Sequence, residues 1–292
     1  MRSFWNNILN RVDAVKEVGE DRWDKSLFYQ AGTREPGKVF CKYGGYLPGK
    51  IPFYPTEHGI MPLALVGAEP DQFVILQSAV EAFQTAGMDW RKLDGRRVGV
   101  VIGKGGYAGP GHVNYSQACF SVQHTLRVMR RLLSGLPEWL FEEMEEQLNA
   151  QLSPLTSETA TTNVPNLVAA RLANRMGFMG PNYTIDGACA SGLIALDHAV
   201  QDLQLGKYDL GVVGGSHLGN DVFFIKMFEM IEAVSQGSKI RPFDRRADGT
   251  LPGEGAGVVL LKRLEDARRE GDRILRWCAG WEQRVMGGGR GY

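Results

Sequence analysis

Several groups of residues in this 292-residue chain have types and spacing that could do chemistry. The sharpest is Asp186-Gly187-Ala188-Cys189-Ala190-Ser191-Gly192. A strand is expected to end at Asp186, a tight turn of small residues follows, and a thiol stands in the first turn of a helix. A helix start carries partial positive charge, which favours an anionic sulfur. Open α/β sheets place their sites at the carboxyl ends of strands. Gly187, Ala188, Ala190 and Gly192 also leave room for a substrate beside Cys189. Cys189 is therefore the candidate nucleophile. The bland alternative is a small buried hydrophobe, as free cysteines usually are, and the local residues leave both open.

The other groups point to less. Gly103-Lys104-Gly105-Gly106-Tyr107-Ala108 fits G-x-G-x-x-A after a strand. The dinucleotide fingerprint also wants an acidic residue about 20 positions further on, and none stands between Gln123 and Met129. An ordinary Gly-rich loop is the better reading. His58, His112, His124, His198 and His217 form no i, i+4 pair, and Cys41, Cys119, Cys189 and Cys278 form no C-x-x-C. No metal site is expected. His198 is expected as a structural histidine beside a buried helical stripe. Glu142, Glu143, Glu145 and Glu146 read as a solvated helix face, not as a catalytic pair with split pKa values.

The elements that must position Cys189 follow from hydrophobic periodicity. A helix is expected over Asp71 to Gly87, with Phe73, Leu76, Ala79, Val80 and Phe83 on one face. A buried strand is expected over Arg97 to Ile102. Helices are expected over His112 to Leu133, Glu138 to Leu152 and Asn163 to Met176. The pattern then sharpens. Strand Asn182 to Asp186 leads into helix Cys189 to Leu205, where Leu193, Leu196, Val200 and Leu203 form the expected buried stripe and Asp197, Gln201 and Gln204 the wet face. Strand Asp209 to Val213, helix Asp221 to Val234, strand Glu254 to Leu261 and helix Leu264 to Glu270 complete the series. Alternating strands and helices at this spacing mean an α/β fold with a largely parallel sheet. Residues 1–60 look irregular.

Composition bounds the function. The chain has 33 Lys+Arg against 33 Asp+Glu, which removes any general electrostatic reason to bind nucleic acid or an anionic membrane. The start lacks the apolar stretch of a signal peptide. The longest apolar run, Ile60 to Ala68, is about half of what spans a bilayer. Four widely spaced cysteines make no disulfide framework. The expectation is a reducing, cytoplasmic setting.

At the Cys189 motif the sequence resembles the β-ketoacyl synthase domain of fatty acid and polyketide synthases, a branch of the thiolase superfamily. Asp186-Gly187-Ala188-Cys189-Ala190-Ser191-Gly192-Leu193 is similar to the family's D-T-A-C-S-S-S-L. Tyr208 to Gly215 is similar to its C-D-x-A-L-A-G-G strand. Arg241-Pro242-Phe243-Asp244, Ala247-Asp248-Gly249 and Gly253-Glu254-Gly255-Ala256-Gly257 match its F-D…A-D-G…G-E-G-x-G block. Phe4-Trp5-Asn6-Asn7 and Asp21-Arg22-Trp23-Asp24 resemble its F-W-x-N and D-R-W-D segments. The Gly103–Ala108 loop and Asn163-Val164-Pro165-Asn166 look nearest to large iterative synthases of the polyunsaturated-lipid and enediyne type.

The resemblance implies a thiolase-like fold: its N-terminal half only, a mixed and mostly parallel sheet layered between helices. It implies residues 1–275 as a partial domain, with a divergent, poorly ordered tail over 276–292. It implies that Cys189 takes an acyl group from the phosphopantetheine thioester of an acyl carrier protein, with no cofactor bound by the chain itself. Malonyl carrier then loses CO₂, and its carbanion attacks the acyl-cysteine. The family stabilises that enolate with two histidines from its second half, whereas no histidine follows His217 here. The implied partners are a carrier protein, a complementing C-terminal ketosynthase half and, when complete, a second copy in a homodimer. Alone, the chain is expected to accept acyl groups without condensing them. A degenerate, non-catalytic partner subunit stays open as the alternative. A thioesterase of the hydrolase-elbow type would need His217 to reach Cys189.

Overall fold

The computed structural model describes residues 2–47, 51–276 and 278. In chain order its elements are α1 (Arg2–Leu9), β1 (Lys16–Glu17), α2 (Lys25–Phe28), β2 (Tyr43–Gly44), α3 (Asp71–Ala86), β3 (Val98–Gly103), α4 (Pro110–Ser116), α5 (Val122–Leu132), α6 (Glu138–Ala150), α7 (Ser157–Thr162), α8 (Leu167–Met176), β4 (Asn182–Ile185), α9 (Ser191–Gln204), β5 (Leu210–His217), α10 (Val222–Met230), β6 (Gly255–Lys262) and α11 (Leu264–Glu270). Among the described residues no helix is long and apolar enough to cross a membrane.

A four-stranded sheet of order β4-β3-β5-β6 carries the fold. β3 pairs parallel with both β4 and β5, while β6 runs antiparallel to β5. Every residue of β3 is buried, because helices cover both faces. Side chains alternate across a strand. Val98, Val100 and Ile102 therefore pack with Phe73, Leu76 and Phe83 of α3 and Leu172 of α8. Val101 and Val213 face the other way, onto Ala195 and Ala199 of α9.

α9 corrects the expected stripe. Leu193 is 65% exposed, whereas Asp197, expected to be wet, is only 4% exposed. Small residues form the side that meets the sheet, so the helix lies close to it, and the larger Leu196 and Val200 flank the contact half-buried. Asp197 is tolerated in the interior because Gln201 Nε2 donates to it at 2.7 Å. His198 is exposed, not a structural core histidine. Other boundaries also shift. The helix expected from Asn163 begins at Leu167, after Pro165, and is preceded by α7 with a Thr156/Thr159 capping box. The stretch from His112 to Leu133 starts earlier, at Pro110, and is broken into α4 and α5 by a π-helical turn at Gln117–Ser121. The expected strand Asp209 to Val213 continues four residues further, to His217.

The N-terminal stretch is more ordered than its composition suggests. β1 and β2 pair antiparallel, and Val18, Trp23, Val39, Cys41 and Tyr46 form a cluster with Ile225 and Val234. Distant carboxylates fasten it. Glu229 accepts from the Phe40 and Cys41 amides at 2.7 and 2.9 Å. Glu254 accepts two bonds from the Arg22 guanidinium, at 3.1 and 2.9 Å, and one from the Leu47 amide at 3.0 Å. The tail expected over 276–292 lies, except for residues 276 and 278, outside the described residues.

Candidate active site

The carboxyl ends of the parallel strands β3, β4 and β5 lie at one end of the sheet. There Gly103, the last residue of β3, lies against the Ser191 carbonyl and the Gly192 amide, where a Cβ would collide with backbone. A Cβ on Gly215 of β5 would sit 3.4 Å from the Gly192 Cα. Glycine at these two positions lets two strand tips close on the start of α9.

Between β4 and α9 the chain makes an elbow. Asp186 Oδ1 accepts from the Ala188 amide at 2.9 Å. Ser191 Oγ accepts from the Gly187 amide at 3.0 Å and donates to the Ala188 carbonyl at 2.6 Å. Ala188 is held at φ +51°, in the left-handed region that side-chain-bearing residues seldom enter. Such strain persists only where the surroundings over-determine it, and these three bonds do so. The result is an exposed Cys189 in a single 3-10 turn, Ala188–Ala190, that runs directly into α9. The buried-hydrophobe alternative for Cys189 is thereby removed. Among the described residues its backbone N–H has no hydrogen-bond partner, as an oxyanion donor requires.

The Gly-rich loop after β3 closes one side. The second oxygen of Asp186 accepts from the Gly106 amide at 2.8 Å, so one carboxylate holds the residues just before Tyr107 and just before Cys189. The loop is pinned below by a buried pair, Lys104 to Asp71 at 2.8 Å. Glu69, also buried, accepts from the Gly109 and His112 amides at 3.1 and 2.7 Å. Burial pushes the Glu69 carboxyl up from its ordinary range despite those donors and nearby Lys104. Lys104 is thus consumed by the scaffold, and the loop does the work of a wall.

The far side is aromatic. The Tyr107 ring meets Phe224 edge-on at 5.3 Å and His217 at 6.2 Å, and His217 lies 4.4 Å from Phe224. Burial raises the Tyr107 phenol, and the Cys189 and Asp186 charges raise it further. His217 Nε2 lies 2.9 Å from Asn220 Oδ1. Asp221 caps α10 through the Phe224 amide at 3.0 Å, and burial holds its carboxyl above the usual range.

The residues singled out in sequence thus separate. Cys189 stands at the site, with His217 in the wall two residues beyond Gly215. Glu142, Glu143 and Glu146 are exposed on α6. Sequence reasoning quoted Asp186, Ser191 and Tyr107 without giving them roles. Asp186 and Ser191 could have been found from their offsets: an Asp two residues before an amide and a Ser three residues after a carbonyl are turn-closing spacings. No local signal marks Tyr107.

Comparison with known proteins bears on the family and the fold. The family described as "Beta-ketoacyl synthase, N-terminal domain" matches residues 1–267. A polyunsaturated fatty acid synthase polypeptide of Thraustochytrium sp. is 29% identical over 96% of this chain and 10% of its own length. A phenolphthiocerol/phthiocerol polyketide synthase polypeptide of Mycobacterium bovis is 31% identical over 94% of this chain and 13% of its own. Among solved structures, an oxazolomycin ketosynthase domain from a Streptomyces albus strain superposes with a TM-score of 0.72 at 27% identity, covering 93% of this chain and 42% of that one. A ketosynthase from module 6 of the bacillaene synthase of Bacillus subtilis 168 gives 0.71 at 26%, covering 94% and 39%. The chain therefore spans a small part of the curated relatives it matches and less than half of the solved ones.

Proposed function

The chain belongs to the β-ketoacyl synthase family, with the thiolase-like α/β fold of its ketosynthase neighbours, and from that premise we propose that Cys189 is its acyl acceptor. The observation that carries the reading is the elbow: Asp186 and Ser191 hold Ala188 at positive φ and present Cys189, exposed, at the start of α9. The Cys189 sulfur attacks the thioester carbon of an acyl group borne on the phosphopantetheine arm of a carrier protein. The tetrahedral oxyanion is placed to take the free Cys189 N–H. The pantetheine thiol then leaves with the proton that Cys189 gave up, and the acyl group stays on sulfur.

Residues 1–275 act in this reading as one domain. The second stage, decarboxylation of malonyl carrier and attack on the acyl-cysteine, draws its two enolate-stabilising histidines from a complementing C-terminal ketosynthase half, in a homodimer working with a cytoplasmic carrier protein.

Incubation with butanoyl-N-acetylcysteamine followed by peptide mass spectrometry tests the acceptor. One butanoyl group is expected on the peptide containing Cys189, and none on that peptide in Cys189→Ala. Cys119 and Cys278 are also exposed and serve as internal controls for indiscriminate acylation. Equal labelling of all three would overturn the reading in favour of a non-catalytic ketosynthase-like subunit.

A further inference from the structure

The Gly-rich loop after β3 stands on a buried group whose charges do not balance. At one end of the loop, Lys104 donates to Asp71 Oδ2 at 2.8 Å. At the other, the Gly109 amide and the His112 amide of α4 both donate to Glu69 Oε1, at 3.1 and 2.7 Å. Glu69 and Asp71 are each 3% exposed, and the Lys104 side chain is 12% exposed. Two carboxyls thus share the interior with one ammonium. The other charged and titratable side chains on the surrounding elements are engaged elsewhere. Arg171 of α8 is taken by Gln72 and by Glu158 of α7, at 2.6 and 3.0 Å. His112 and Tyr115 of α4 are exposed. Asp221, two residues past the Gly219 that packs on Gly109, caps α10.

The hydrogen bonds do not balance either. Glu69 Oε2 and Asp71 Oδ1 are both buried without a partner among the described residues. An ionised carboxylate can only accept, and a buried acceptor left unmet is costly, more so when it is charged. One proton removes both deficits. It cancels the surplus negative charge, and it turns one bare acceptor into a donor. Asp71 has the ammonium as its partner, whereas Glu69 has only neutral amides, so the proton goes to Glu69. It sits on Oε2, because Oε1 must go on accepting from Gly109 and His112. Burial pushes the Glu69 carboxyl in the same direction.

We propose that Glu69 holds a proton on Oε2 in the folded chain, at pH values where the same carboxyl is ionised in the unfolded one, and that this proton latches the Gly-rich loop. Ionising Glu69 leaves two negative charges against one buried ammonium. The grips on Lys104 and on Gly109, one at each end of the loop, then loosen together. Gly106, whose amide is bound to Asp186 at 2.8 Å, lies between them. The loop is therefore firm at low pH and slackens as pH rises through the folded value of Glu69.

The test is Glu69→Gln in the full chain, which keeps the carbonyl acceptor and puts an N–H in place of the O–H at every pH. A proton kept by the folded chain and lost by the unfolded one stabilises below the unfolded carboxyl value, and that contribution is lost as pH rises toward the folded value. Across this interval the unfolding constant of wild type, from urea curves, should rise relative to Glu69→Gln by about tenfold per pH unit. Amide hydrogen exchange over residues 104–112 should speed up with pH more in wild type than in the variant. A ratio of unfolding constants that stays flat with pH overturns the proposal. So does a variant less stable than wild type at every pH, the result expected if a water donates to both bare oxygens and Glu69 is ionised. Exchange over 104–112 that rises equally in both chains overturns the latch. Asp71→Asn covers the case in which Glu69→Gln does not fold. It removes the competing charge, so wild type should lose stability with rising pH more steeply than Asp71→Asn, and equal slopes overturn the proposal.

Discussion

The two ends of β5 are built on opposite plans. At its start, Asp209 is gripped by Arg97, at 2.8 and 2.9 Å, and by Arg263, while Arg263 also donates to the Leu203 and Tyr208 carbonyls at 2.8 and 3.1 Å. Tyr208 is fully buried against Gly99, where a Cβ would collide with its ring. Charges there are matched, and large side chains fill the space. At its far end β5 runs into Gly214-Gly215, then His217, beside a strained Ala188 and an exposed thiol. Buried polar atoms of Ser216, Asn220 and Asp221 lack partners among the described residues. One end of the strand is arranged for stability and the other for access, as expected where sites sit at the carboxyl ends of parallel strands.

Substitutions can break that contrast, and the largest expected effect is at the thiol. Cys189→Ala should abolish site-specific acylation and change unfolding free energy by no more than about 0.5 kcal/mol, as for an exposed side chain. Paired labelling and urea-denaturation curves check both halves. Gly103→Ala strikes where the two plans meet. Its Cβ meets the backbone of Ser191 and Gly192, which has little freedom to yield, so about 3 kcal/mol of stability should be lost, the upper part of the overpacking range. A shift in the urea midpoint reads it directly.

Asp186→Asn should act on access more than on stability. One amide acceptor is kept, but the new NH₂ confronts a backbone N–H, at Gly106 or at Ala188. Acyl loading should slow about tenfold, or about 1.4 kcal/mol in activation free energy, with the urea midpoint nearly unchanged. The smallest effect belongs to the charged end. Arg97, then Arg263, holds the Asp209 carboxyl well below its usual range. A depressed folded-state pKa contributes stability above the unfolded value, and that contribution is lost as pH falls through the folded one. Asp209→Asn should cost about 0.5–1 kcal/mol at pH 7, discounted for solvent screening of a half-exposed pair. The gap from wild type should narrow below about pH 4. Urea midpoints across that pH range measure it.

The sequence showed the helix of α3 nearly to the residue, because Phe73, Leu76, Val80 and Phe83 are both large and buried and Gly87 closes it in the left-handed conformation. It misled on α9, where periodicity equates size with burial. The face that meets the sheet is Ala195 and Ala199, and close approach, rather than bulk, buries it. At the site, the small residues around Cys189 were legible because each is neighbour to the next. The clamp by Asp186 on Gly106 spans 80 positions, and the placing of Tyr107 beside His217 depends on β3 and β5 being parallel neighbours. Neither leaves a mark on local pattern. The N-terminal cluster was illegible for the same reason, since its fastening carboxylates, Glu229 and Glu254, lie far down the chain.

That last arrangement has a consequence in time. Arg22 waits for a partner 232 residues later, and the Phe40 amide for one 189 residues later. At roughly 5–20 residues per second of synthesis, the segment around Trp23 and Val39 emerges from the ribosome on the order of 10–40 seconds before its partners exist. Within this domain, the segment around Trp23 and Val39 is thus among the last to fold. During that interval its apolar residues must be kept from other chains by chaperones or by speed, not by the structure they will finally join.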